Sequence, residues 1–170
     1  MHDMSHPLSF WERARLEPDR LALIGPDDQE WSAEALLRRC NAISARLQEL
    51  GFGEGDAVAV AAASHADALC VALAVTQIGG YHVPISSRST APEIAYVLEN
   101  CGAEFLFAES AVLERVWTGL SELPSCQVIR LGEGAPSQSI VSVDEFTGAT
   151  GRDGPVRRRC GQIMPYTSGT

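Results

Sequence analysis

Between residues 32 and 131 helical stripes of apolar side chains alternate with short apolar runs, most of them separated by a glycine stop. Ser32 is an N-cap type, and Leu36, Cys40, Ile43, Leu47 and Leu50 follow at steps of 4, 3, 4 and 3. That spacing lines them along one buried face of a helix. Gly51 stops it, because the residue after a helix commonly turns left-handed. Ala57–Ala61 reads as a buried strand and Ala66–Ile78 as a helix apolar on most sides. Gly79-Gly80 ends that helix, and Tyr81–Ile85 is a strand whose Pro84 marks a strand end or an edge. Thr90-Ala91-Pro92-Glu93 is a capping box with proline in the first turn, opening a helix that runs to Cys101 and stops at Gly102. Glu104–Ala108 is a strand, Ser110–Leu120 a helix and Gln127–Leu131 a strand. Apolar strands alternating with helices predict an α/β fold: a layered, largely parallel sheet flanked by helices. Such sheets bind ligands beyond the carboxyl ends of their strands.

The flanks are less regular. Ser9–Leu16 suits a short amphipathic helix, Arg20–Ile24 a strand, Gly25-Pro26-Asp27-Asp28 a turn and Glu30-Trp31 renewed extended chain. Gly132–Ser139 is a loop, Val143–Phe146 one helical turn, and Gly148–Arg159 a polar connector. Its run Arg157-Arg158-Arg159 is expected as a solvated loop face, with a phosphate or CoA contact the lesser alternative. Cys160–Tyr166 is strand-like.

Composition narrows the function. Lys and Arg together number 13 against 22 acidic residues, a net charge of −9. A nucleic-acid backbone repels such a chain, so no nucleic-acid partner is expected. Every basic residue is Arg, which excludes a Walker P-loop, a Schiff base and a lysine general base within these residues. The five cysteines, Cys40, Cys70, Cys101, Cys126 and Cys160, form no CxxC pair, so no metal site is expected. Each is read as a small buried hydrophobe, and an odd number of free thiols suits a reducing, cytoplasmic compartment. Ser64, His65 and Asp67 break the most apolar stretch, so no transmembrane segment is expected. His82 is read as a satisfied core or cleft histidine. Gly51, Gly53 and Gly55 follow a helix with GxGxG spacing, which marks a turn and not a dinucleotide fingerprint.

Chemistry concentrates in Tyr166-Thr167-Ser168-Gly169-Thr170. A glycine lets backbone N–H groups approach an anion, and the hydroxyls add donors. The wider context gives this loop its meaning. Pro18–Ile24, Trp31-Ser32 before Glu34-Ala35-Leu36, Leu50–Val60, Gly79–Ile85, Thr90–Leu98 and Gly102-Ala103 before Phe105–Phe107 together resemble the N-terminal part of the adenylate-forming superfamily. Acyl-CoA synthetases, luciferases and nonribosomal peptide adenylation domains belong to it. The closing YTSGT is similar to the first half of that family's loop YTSGTTGxPKG, which wraps the ATP phosphates.

The resemblance implies that residues 1–170 are an incomplete N-terminal subdomain of the large domain, ending inside the phosphate-binding loop of 160–170. It assigns Thr167, Ser168, Gly169 and Thr170 to the ATP phosphates and no catalytic residue to this chain, which is expected to be inactive alone. The parent protein would use ATP and Mg²⁺ to convert a carboxylic acid to an acyl-adenylate. CoA would then take the acyl group, which places the protein in fatty acid metabolism. Ser89–Glu93 after Arg88 is nearer the CoA-ligase pattern than that of peptide-synthetase domains. An adenylation domain of a nonribosomal peptide synthetase loading a carrier protein is the alternative, and a non-catalytic α/β interaction module the third reading. The acid and the oligomeric state stay open.

Overall fold

The computed structural model describes residues 9–26, 28–120, 126–134, 140–148 and 153–166. The N-terminal helix α1 (Phe10–Leu16) is capped by Ser9, and a two-stranded antiparallel ribbon follows, β1 (Leu21–Ile24) with β2 (Glu30–Ser32). Ser32 then caps α2 (Ala33–Glu49), its hydroxyl accepting from Ala35 N at 3.2 Å. From there strand and helix alternate: β3 (Ala57–Ala61), α3 (Ala66–Gln77), β4 (Tyr81–Ile85), α4 (Ala91–Cys101), β5 (Phe105–Glu109), α5 (Ser110–Leu120) and β6 (Gln127–Leu131). Three short elements complete the described chain, β7 (Val141–Ser142), α6 (Val143–Thr147) and β8 (Gln162–Ile163).

Six strands form one parallel sheet in the order β7-β6-β5-β3-β4-β8. The α/β reading holds, and the pairing is parallel throughout this sheet. Alternate side chains divide the core between two faces, as the pleat requires. Val58, Val60, Phe105, Phe107 and Ile129 pack towards α2, α3 and α6, with Leu36, Ile43, Leu47 and Val75. Ala57, Ala59, Val83, Leu106 and Ala108 pack towards α4 and α5, with Ile94, Leu98, Leu113 and Val116. Strands covered on both faces need no polar alternation, which is why β3 reads as an unbroken apolar run.

A polar seam fastens α2 to α3 inside the first layer. Ser44 Oγ lies 2.9 Å from the Cys40 carbonyl and 3.0 Å from that of Ala74, and the Gln77 amide reaches Ser44 Oγ and Cys40 O. Further out, Arg39 of α2 bridges two helix starts. Its Nε and Nη2 donate to Asp67 at 2.6 and 3.1 Å, and its Nη1 donates to Asp144 at 2.6 Å. Burial opposes the guanidinium charge, and the bonds and charges of Asp67 and then Asp144 outweigh it, so its pKa is raised.

Three expectations need correction. Leu50 is 40% exposed, because α2 ends at Glu49 and Leu50 is already its C-cap. Only Cys40 and Cys70 are fully buried; Cys101 and Cys126 are half-buried and Cys160 is exposed, lying in the connector outside the layers. Burial still pushes the Cys126 thiol up to about 12. The arginine run is not a solvated face as a whole. Arg157 is exposed, but Arg158 donates to Gln77 Oε1 at 3.1 Å and Arg159 pairs with Glu54. The cause is the end of α3, whose last carbonyls take Arg159 N and Gly161 N at 2.9 and 2.8 Å.

Candidate functional site

The carboxyl edge of the sheet is built from turns that leave β3, β4, β5 and β8. After β4, the turn Ser86–Ser89 closes on itself, with Ser89 N donating to Ser86 O at 3.0 Å and Arg88 N to Ser86 Oγ at 3.2 Å. Arg115 of α5 holds it from behind, its guanidinium donating to the carbonyls of Ser89, at 2.8 Å, and Ser87. Thr90 then starts α4, its N–H donating to the Glu93 carboxylate at 2.7 Å and its hydroxyl at 3.0 Å. These bonds hold the Glu93 carboxyl below its usual range. After β3, Ser64 N donates to Glu109 at 3.0 Å and ties two neighbouring turns together.

The last described residues approach the same edge. Met164 N donates to His82 O at 2.8 Å, and backbone pairing with β4 goes no further among the described residues. Pro84, which has no N–H, lies past that point: β4 runs between β3 and β8, so the proline stands near the end of its strand and not on an edge strand. The chain then crosses towards α4, where the Tyr166 hydroxyl donates to Asn100 Oδ1 at 2.6 Å. Desolvation, with Cys101 and Tyr96 nearby, raises the Tyr166 phenol above its usual value, so it stays a neutral donor. A cavity of about 680 Å³ opens beside it, lined by Ser86, Arg88, Pro92, Glu93, Tyr96 and Tyr166 among others. Arg88 makes no ion pair there among the described residues. The expected phosphate ligands Thr167, Ser168, Gly169 and Thr170 lie outside the described residues, directly after Tyr166.

A second hollow of about 450 Å³ runs between α3 and the β4 edge, lined by Leu23, Ile24, Leu69, Pro84 and Ile163 with His65 and His82. His82 was expected to be satisfied. Its Nδ1 is buried without a hydrogen-bond partner among the described residues, because the walls beside it are apolar. Burial lowers its pKa, so the ring is neutral at pH 7. Among the described residues no group of His, Cys, Asp and Glu is arranged to hold a metal ion, and no helix is long and apolar enough to cross a membrane.

Sequence reasoning missed Arg115 and Asn100. Their partners stand 26, 28 and 66 residues away, and no local spacing signals such contacts.

Comparison with known proteins gives this edge a context. The model of one family, described as AMP-binding enzyme, matches residues 10–170. The hybrid PKS-NRPS synthetase thnA of Trichoderma harzianum is 30% identical over 108 residues, 64% of this chain and 3% of that protein. The uncharacterized acyl-CoA ligase YtcI of Bacillus subtilis (strain 168) is 26% identical over 156 residues, 89% of this chain and 29% of that protein. The chain therefore spans less than a third of either relative. The crystal structure of the anthranilate CoA ligase AuaEII in complex with anthranoyl-AMP superposes with a TM-score of 0.82 at 21% identity, covering 94% of this chain and 32% of that one. The fold is that of the large domain of adenylate-forming enzymes, and this chain belongs to the AMP-binding enzyme family.

Proposed function

We propose that residues 1–170 contribute the N-terminal subdomain of the large domain of an ATP-dependent acid–thiol ligase, with residues 160–170 opening its phosphate-binding loop. One observation carries the reading: Tyr166 is fastened to Asn100 at the carboxyl edge of the sheet, beside the cavity that Arg88 lines. Thr167, Ser168, Gly169 and Thr170 follow at once, and their N–H groups and hydroxyls are the donors that phosphate oxygens need. Anchoring at Tyr166 fixes where that run begins. Arg88 adds a positive charge nearby, on a turn made rigid by Arg115.

A carboxylate is a poor electrophile. In the proposed reaction one of its oxygens attacks the α-phosphorus of ATP and pyrophosphate leaves, giving an acyl-adenylate. The thiol of CoA then attacks the acyl carbon and AMP leaves. Donors along the loop lower the barrier by holding charge that develops on the phosphate oxygens. Mg²⁺, if used, would neutralise charge on the same oxygens; no described side-chain cluster is assigned to it.

The test is acid-dependent exchange of labelled pyrophosphate into ATP by the whole protein, over a panel of fatty, aromatic and amino acids. Ser168→Ala should lower the exchange about a hundredfold, the lower end of what losing one such donor costs. Absence of exchange with every acid would overturn the reading. The second reading, an adenylation domain loading a carrier protein, draws on the PKS-NRPS relative. Transfer of the labelled acyl group to carrier-bound pantetheine and not to free CoA would select it.

A further inference from the structure

The opposite, amino-terminal edge of the sheet holds a cluster that this reaction does not use. There α1 and the connector of residues 153–161 meet the end of α3 around a cavity of about 780 Å³. Arg15, Arg158 and Arg159 line it, together with Trp11, Glu12 and Gln162. Arg159 is neutralised by Glu54, whereas Arg15 and Arg158 make no ion pair among the described residues. The Glu12 carboxylate is turned onto Ser9, accepting from its N–H at 3.0 Å and its hydroxyl at 2.8 Å.

Arg158 is fixed in place. Its Nε donates to Gln77 Oε1 at 3.1 Å and its Cζ stands 5.1 Å from the Trp11 ring centroid. Its Nη2 is nevertheless buried with no hydrogen-bond partner among the described residues. Burial first, and then the like charge of Arg15, push its pKa down. Two guanidinium groups thus repel each other in one hollow of a chain whose net charge is −9. The Arg158 Nη2 is closed off against Gly154, and it is the uncompensated charge of the two guanidinium groups that suits an oxyanion in the hollow.

We propose that this hollow is a binding site for a phosphoryl group, held between Arg15 and Arg158. Two unpaired positive charges suit a dianion, and the exposed Arg15 leaves the site open to solvent. The site stands at the opposite edge of the sheet from Tyr166, the last described residue.

The test is titration of the chain with sodium phosphate at constant ionic strength, with chloride as the control, followed by calorimetry or amide chemical shifts. Phosphate should bind and chloride should not. Arg15→Gln should weaken phosphate about tenfold, as loss of a charge-assisted pair does. Arg158→Gln should do the same, while Arg157→Gln should leave the affinity unchanged. Glycerol 3-phosphate separates the sources: equal affinity identifies a site for the phosphoryl head alone, and tighter binding one for a phosphate ester. Phosphate acting no differently from chloride overturns the proposal. So does binding lost in Ser168→Ala but kept in Arg15→Gln, an outcome that leaves the loop assignment standing. Arg15 is exposed at the end of a short helix, so its variant stays readable if Arg158→Gln fails to fold.

Discussion

A methyl group on Gly161 would stand 2.2 Å from the Gly80 carbonyl oxygen and 2.8 Å from Thr76 Cα. Both are backbone atoms that no side-chain rotation can move aside. The close approach exists because Gly161 N donates to Thr76 O while Gln162 N donates to Gly80 O, at 2.8 and 3.2 Å. The first ties the chain to the end of α3, and the second seats β8 beside the start of β4. Gly161→Ala should cost about 3 kcal/mol, the upper end of overpacking, read as a shift of the urea midpoint. The side chain of Arg158 presents the opposite case, with bonds to make and too few partners in reach. One position permits no added atom, and the other has a donor left over.

Among the elements, carboxylates at helix starts set a pH dependence. Glu93 accepts from Thr90 N and Oγ1, and Glu145 from Ser142 N at 2.6 Å. The backbone bond leads in lowering each pKa below 4.5. A carboxyl whose pKa is depressed on folding adds stability above its unfolded pKa and loses it as pH falls through the folded value. Stability should therefore decline as pH drops below about 4.5. The double variant Glu93→Gln, Glu145→Gln should show a flatter decline in urea melts between pH 5 and 3, and an unchanged slope would count against the assignment. These starts were legible in the sequence because a cap, its acidic partner and the spacing between them are all local. So were Gly51 and Gly102, which both adopt positive φ, at 94° and 65°. Leu50 was misread because its step continues the stripe while the helix has already ended. The histidine and arginine environments were not legible: His82, Arg115 and Arg158 depend on groups brought together only by folding. For the candidate site, Thr167, Ser168, Gly169 and Thr170 lie outside the described residues, and Asn100, which holds the Tyr166 hydroxyl, carries no local mark in the sequence.

For the molecule as a whole, one arginine joins three helices on the larger core. Arg39 is 18% exposed and its partner Asp67 is 9% exposed, while Asp144 is 80% exposed. Removing Arg39 strands a mostly buried carboxylate, whereas removing Asp144 leaves the better half of the network intact. Arg39→Ala should cost about 2–3 kcal/mol, reduced from the fully buried case by solvent around the pair. Asp144→Asn should cost less than about 1 kcal/mol. Comparable losses in denaturant melts of the two variants would show that the bridge does not work as described.

The strand order has a consequence in time. β3 is the first strand of the sheet along the chain, and later strands add outward on both sides of it. β8 joins last, to a partner 81 residues earlier, through two residues of its own. Closing so long a loop for so few bonds is entropically late. The segment that delivers Tyr166 to Asn100 should thus be set late and should come away early on unfolding, seen as faster amide exchange at Gln162 and Met164 than in β3. A ligand at the carboxyl edge beside Tyr166, as proposed, would meet its site at the end of assembly and would brace the final strand.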